Sequence, residues 1–208
     1  MSTDKETCIA GSKTRTDWNA LRVRLLLPEA EAWKEAFKDY FETRLNLRYL
    51  NPIKILQEHD TTKGEGFSIL AIQCSLIEFL ESTAQGKNYR YISRGQVLGP
   101  HEYSSSRKFF IAFLTDRVPF SNTFNKKSAD DFYAGVRCGL LHEAQTKNGW
   151  RIKARSPNGV VANIQERIVY RNNFHLALLE YINLYGVQLQ ADTQLQQAFI
   201  RKFDALCI

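Results

Sequence analysis

Cysteine is scarce in this chain, and its four copies are scattered. Cys8, Cys74, Cys138 and Cys207 form no CxxC pair and have no histidine at ligand spacing, which argues against a zinc site. Free thiols of this kind suit a reducing cytosol, and Cys74 and Cys138 fall within apolar helical patterns as small core residues. No glycine-rich phosphate loop, nucleophile elbow or HExxH pair is present, so the sequence carries no signature of P-loop nucleotide hydrolysis, α/β-hydrolase chemistry or zinc proteolysis. No metal and no cofactor is expected. The polar start MSTDKETCIAGSKT is not a signal peptide, and no uninterrupted apolar run is long enough to cross a bilayer. The expectation is a cytoplasmic protein without membrane attachment. Internal repeats and low-complexity segments are also missing.

What remains has a globular composition. The 208 residues are 44% hydrophobic and 24% charged, with 13 Phe and 9 Tyr, enough apolar and aromatic surface to fill a core. Lys and Arg outnumber Asp and Glu by 28 to 22. That excess fits an ordinary basic protein and also one that meets a polyanion such as RNA.

Read in order, residues 1–16 form a polar tail, expected to be flexible, and residues 17–208 a single, mainly α domain. Residues 20–27 are a short apolar run that periodicity assigns to neither strand nor helix. Residues 28–58 read as one amphipathic helix with Pro28 at its start, a stripe of Trp33, Phe37, Tyr40, Phe41 and Leu45, and a break or kink at Asn51-Pro52. His59 closes it as a capping or solvent-facing residue. A glycine-bearing turn over residues 61–66 leads into residues 67–82, apolar on nearly every side, as a central helix should be. Within that helix Glu78 shares a stripe with Ala71, Cys74 and Ser75. It reads better as a glutamate that reaches water or pairs with an arginine than as a catalytic carboxylate. Residues 83–106 are irregular, either a covering loop or a mobile one. Its Tyr89, Arg90, Tyr91, Arg94 and Tyr103 suit packing onto the body, or base stacking and phosphate contact. Residues 107–120 make a second apolar helix ended by Pro119.

The clearest amphipathic element spans residues 128–150. Ser128 with Asp131 has capping-box spacing, and Phe132, Val136 and Leu140 mark a buried face. Arg137 and His142 are five residues apart, so they point about 140° from each other on a helix. Between them lie Ala134, Cys138 and Leu141, suited to a close contact. Beyond a stop at Asn148-Gly149, residues 150–156 alternate as a half-buried strand. Pro157-Asn158-Gly159 reads as a turn and residues 160–170 as the returning strand, an inserted β-hairpin over about 150–170. Asn172 or Asn173 caps a helix striped with Phe174, Leu178, Tyr181, Ile182 and Tyr185, in which His175 reads as a packing or surface residue. Residues 192–208 form a closing helix.

An arginine followed a few residues later by histidine has little weight alone, and Arg94 with His101 repeats it among glycines and a proline where no helix fixes the pair. Arg137, Cys138, Gly139, Leu140, Leu141 and His142 differ by lying on a capped amphipathic helix after two apolar ones. Here the chain resembles the HEPN superfamily of small α-helical proteins, whose members carry R-x4–6-H on a late helix. The phrase FYAGVRCGLLHEAQTKNGWRI is similar to that of a largely uncharacterised bacterial HEPN-type family.

The resemblance implies a HEPN-like helical bundle, homodimerisation through the motif helices and metal-independent endoribonuclease activity in the shared cleft. It makes His142 the general base or acid at the RNA 2′-OH and the leaving 5′-oxygen, since histidine titrates near ~6.5. Arg137 would hold the scissile phosphate, and a 2′,3′-cyclic phosphate would be the product. Toxin-like or defence roles, with an antitoxin or other protein partner, are habits of the same superfamily. Active members usually carry Asn, Asp or His directly after the arginine. Cys138 stands there, and suits a weak hydrogen-bonding substitute or a non-catalytic, RNA- or protein-binding copy. Tyr133 is the candidate for base stacking, and Lys147, Arg151 and Lys153 for tracking the phosphate backbone. Each has a plainer reading: Tyr133 packed beside Leu140, a solvated strand face, and Arg137 paired with Glu78 or Asp116.

Overall fold

The computed structural model describes residues 6–27, 29–59 and 64–207, and over them the chain is mainly helical. Strands β1 (Cys8–Ala10) and β2 (Lys13–Thr14) form a small antiparallel hairpin. Residues 8–14 of the expected loose tail are packed on the body: Ile9 and Ala10 are buried, and Arg44 donates to the Ile9 carbonyl at 2.5 Å; residues 1–5 of that tail lie outside the described residues. Helix α1 (Arg15–Leu25) follows directly. Thr14 and Asp17 form its reciprocal capping box, which decides the region that periodicity left open in favour of helix.

Helix α2 runs unbroken over residues 30–58 and buries Trp33, Tyr40, Phe41, Leu45 and Ile53. Pro28 lies outside the described residues. The expected break at Asn51-Pro52 does not occur. Two stretches of α2, Ala36–Glu42 and Asn46–Leu50, are π-helical, and the Asn51 N–H reaches back five residues to the Asn46 carbonyl. A widened turn just before a proline relieves the clash of its ring with the preceding turn, so the helix continues. His59 is its C-cap. Residues 60–63 of the expected glycine turn lie outside the described residues.

Helix α3 (Glu65–Gln85) is the hub. By length and composition it would suit a bilayer, but the other helices clothe it, and Ile69, Leu70, Leu76, Ile77 and Leu80 are buried. Gly86 ends it at φ +61, with Ala198 so close that an added Cβ would sit 2.5 Å from its Cα. The following segment is a covering loop, pinned by the parallel pair β3 (Asn88–Tyr89) and β4 (Glu102–Tyr103). Tyr103 is buried and stacks on Phe109, whereas Tyr91 is exposed. Helix α4 (Ser106–Asp116) is capped by Ser105, and a short 3-10 turn, Phe120–Asn122, leads to helix α5 over residues 126–143.

The β region departs from the expected hairpin. Strands β5 (Arg151–Lys153), β6 (Ala162–Asn163) and β7 (Ile168–Tyr170) form one sheet in the order β5-β7-β6. β5 is parallel to β7, and only β6 and β7 are antiparallel. The Pro157-Asn158-Gly159 turn therefore joins no pair of neighbouring strands. Ile168, Val169 and Tyr170 are all buried, and such a run takes the middle of a sheet. The alternating β5 stays at the edge.

Helices α6 (Arg171–Leu189) and α7 (Thr193–Leu206) complete the bundle. Asp192 caps α7, whereas Tyr170, not Asn172 or Asn173, is the N-cap of α6 and supplies no side-chain cap. Asn172 and Asn173 instead accept from Gln57 and from the Ser156 N–H. The core is largely aromatic. Phe41, Tyr185, Phe199, Trp18 and Phe203 form one set of ring contacts, and Phe110, Phe132, Phe174, Phe120 and Phe113 another.

Lys202 of α7 is buried; its amine donates to the Lys87 carbonyl at 3.1 Å and lies over the Phe79 ring. Burial, with the nearby Arg44 charge, lowers its pKa to about 8. The unfolded chain holds that proton up to the ordinary lysine range, so between pH 8 and 10.5 it binds more protons than the folded chain, and stability rises with pH. Urea unfolding of wild type beside Lys202→Met should show the wild type gaining about 3 kcal/mol relative to the mutant from pH 7 to pH 10.5. A constant difference across that range would count against the buried charged lysine.

Candidate functional site

Helix α5 begins one turn earlier than its sequence suggested. Asn125, not Ser128, is the N-cap: its Oδ1 accepts from the Ser128 N–H at 3.0 Å, and Ser128 Oγ accepts from the Asn125 N–H at 3.0 Å. Phe132, Val136 and Leu140 are buried as the spacing required. The middle of the helix, Tyr133–Cys138, is a π-helical turn, and Arg137 lies within it.

The helix stops at Glu143, short of the expected Asn148-Gly149, because Ala144 turns left-handed at φ +53. The chain then folds back along α5 itself. The Lys147 N–H donates to the Gly135 carbonyl at 2.7 Å, and Trp150 donates through Nε1 to Asp131 at 3.1 Å. Gly135 and Gly139 make this close approach possible. A Cβ on Gly135 would lie 2.6 Å from the Trp150 ring, and one on Gly139 would lie 2.5 Å from the Gln145 carbonyl oxygen.

Arg137 leans toward α3 and α4. Its side chain is 20% exposed and stands 3.9 Å from Glu78 Oε2, while the guanidinium lies over the Tyr133 ring, 5.3 Å from its centroid. Glu78 is held from the other side: the Tyr103 hydroxyl donates to Oε1 at 3.0 Å and the Ser106 hydroxyl at 2.7 Å. Burial, reinforced by Glu78, raises the pKa of Tyr103. Tyr133 meets Phe110 edge-on and has Arg107 over its ring, and Arg107 grips Asp130 through two hydrogen bonds. Burial is the main cause of the raised Tyr133 pKa. Nearby, burial pushes the Cys74 thiol up to about 12, so it stays protonated and is no nucleophile at neutral pH.

The remaining candidates are not gathered around Arg137. His142 is exposed one turn further on, beside Leu141, itself 50% exposed. Lys147 pairs with Glu143 at 2.8 Å, and Arg151 donates to the Glu166 carbonyl at 3.3 Å. Lys153 is exposed on β5. These three occupy the segment returning past Trp150 and the sheet edge. The arrangement is therefore a half-buried arginine with an aromatic backstop, followed by a solvent-facing imidazole on the same helix. Among the described residues no group of His, Cys, Asp and Glu could hold a metal ion. Chemically, the pair offers a phosphate-binding fork and a group able to carry a proton. Tyr103, Ser106 and Arg107 were not legible as parts of this site, although a carboxylate on an apolar helix pointed to Glu78. Comparison of the chain with protein families, curated proteins and solved structures finds no match.

Gly139→Ala should lift the returning segment off α5, at a cost of about 1–3 kcal/mol. Hydrogen exchange reads this directly, as lost protection of the Lys147 amide. Unchanged protection there would mean that the glycines do not set the contact.

Proposed function

We propose that the chain is a metal-independent endoribonuclease of HEPN-like type, acting as a homodimer in which two α5 helices share one cleft. One observation carries the reading. Arg137 sits at charge distance from Glu78, longer than a hydrogen bond, while Glu78 already accepts two hydroxyl bonds through its other oxygen. The guanidinium is thus oriented by Tyr133 without being locked in a bidentate pair, and its fork remains able to take a phosphate.

In this reading His142 takes the proton of the RNA 2′-OH or returns one to the leaving 5′-oxygen. Arg137 stabilises charge on the pentacoordinate phosphorus. The exposed Leu141 contributes to the contact between protomers, and Lys153 guides the backbone by charge. The second reading is a non-catalytic RNA- or protein-binding module. The tether of Arg137 to Glu78 favours it, as does Cys138 in place of a strong hydrogen-bonding side chain.

The test is cleavage of structured and unstructured RNA by purified protein in excess EDTA. The expected result is cleavage leaving 2′,3′-cyclic ends, reduced by about 10² or more in His142→Ala and likewise in Arg137→Ala, with both variants folded by circular dichroism. Sedimentation should show a dimer. RNA binding without cleavage by the wild type selects the second reading, and a monomer with neither property removes both.

A further inference from the structure

Aromatic rings in this chain are almost all withdrawn from water. Among the described residues only Phe67, Tyr89 and Tyr91 are exposed, and the two tyrosines lie two residues apart on the covering loop between α3 and α4. Tyr89 is 54% exposed and Tyr91 76%. Single exposed apolar residues are ordinary, but this pair stands on a loop with three further properties.

The first is that the loop is held in place. Tyr89 pairs with Tyr103 in the parallel β3–β4 ladder, the Arg90 N–H donates to the Tyr103 carbonyl at 2.8 Å, and the Tyr89 ring meets that of Tyr103 edge-on. Further along, the Gln96 N–H returns to the Ser93 carbonyl and the Ser93 N–H to the Gln96 side chain, both at 3.1 Å. They close a turn with Arg94 and Gly95 at its tip, where Gly95 supplies φ +88. The second property is charge. Residues 86–105 contain Lys87, Arg90 and Arg94 against one acid, Glu102. Glu102 is already engaged, by Arg90 at 3.0 Å and by the Gly99 N–H at 2.7 Å. Arg94 is exposed, and its guanidinium has no partner among the described residues. Third, the loop adjoins the candidate site: Tyr103, which Tyr89 touches, donates to Glu78, and Glu78 neighbours Arg137.

We infer that this loop is a stacking platform for single-stranded RNA, with bases on Tyr89 and Tyr91, a backbone phosphate at Arg94, and the strand leading on toward Arg137. Ring faces left in water, beside cations and without a free carboxylate, match a ligand that is both planar and polyanionic. A duplex keeps its base faces inside its own stack, so such rings select unpaired strands. The inference rests on the reading of Arg137 and His142 as an RNA site, and adds the substrate class to it.

The test is fluorescence anisotropy of the full chain with a labelled single-stranded RNA of about ten nucleotides, 2′-O-methylated so that it cannot be cut. Tyr91 and Arg94 are exposed, so their alanine variants should fold as the wild type does. Tyr91→Ala is expected to weaken binding about fivefold or more, and Tyr91→Trp to retain it, because the ring and not the hydroxyl makes the contact. Arg94→Ala should lower the slope of log Kd against log salt by ~0.7. The same sequence as a duplex, and an abasic strand of equal length, should both bind more weakly. Binding as tight as that of wild type and single strand by Tyr91→Ala, by the duplex or by the abasic strand overturns the inference. Its outcome separates from that of the nuclease. Ring-dependent binding without cleavage of unmodified RNA keeps the platform and removes the nuclease, whereas cleavage by a chain whose binding ignores Tyr91 does the reverse.

Discussion

The architecture depends on a constraint set by α3, a core helix whose apolar second half carries two carboxylates, Glu78 and Glu81. A carboxylate taken out of water costs several kcal/mol unless it is paired and hydrogen-bonded. Glu81 is 1% exposed, and Arg117, just past α4, meets it with two bonds of 2.8 and 3.0 Å while Gln85 adds a third. Glu78, one turn earlier, collects Tyr103, Ser106 and Arg137. Between them these two residues determine where the covering loop, both ends of α4 and the motif helix meet α3. Phe79 of the same helix carries two cations over its ring, Arg44 and Lys202.

Arg137 accordingly has a structural and a chemical aspect at once. Its charge compensates Glu78, yet the 3.9 Å separation leaves the attraction weaker than a formed bidentate pair. The π-helical turn around it places Tyr133 beneath the guanidinium. Irregular turns of this kind recur at functional positions, and this one belongs to a helix otherwise fixed by its cap, its buried stripe and the segment folded back upon it.

Much of this was legible in the sequence, because periodicity reports burial directly. Trp33, Tyr40, Phe41 and Leu45 on one helix, and Phe132, Val136 and Leu140 on another, are core residues as their spacing required. Boundaries were less secure. Ser128 and Asn125 are both good caps, and the reciprocal bond between them, not composition, places the start. Pro52 misled because the rule it obeys assumes a uniform α-helix. The sheet misled because alternation identifies strands but not their partners: a tight turn at 157–159 looks like a hairpin until the buried β7 claims the centre. The surroundings of Arg137 were hidden for a similar reason. Only Glu78 stood out along the chain, as a charge among apolar neighbours, while Tyr103, Ser106 and Arg107 reach the site by tertiary folding alone.

The two π-helical stretches of α2 have a consequence for how this chain tolerates changes of length. A π turn is an α turn that has taken in one residue more than its hydrogen-bonding ring needs. Removing one residue from a regular helix such as α6 swings everything beyond it by about 100° and turns its buried stripe outward. Within 36–42 or 46–50 of α2, the same loss only tightens a wide turn into an ordinary one, and the flanking stripes keep facing the core. The longest helix of the fold thus contains two places where chain length and facing direction are uncoupled.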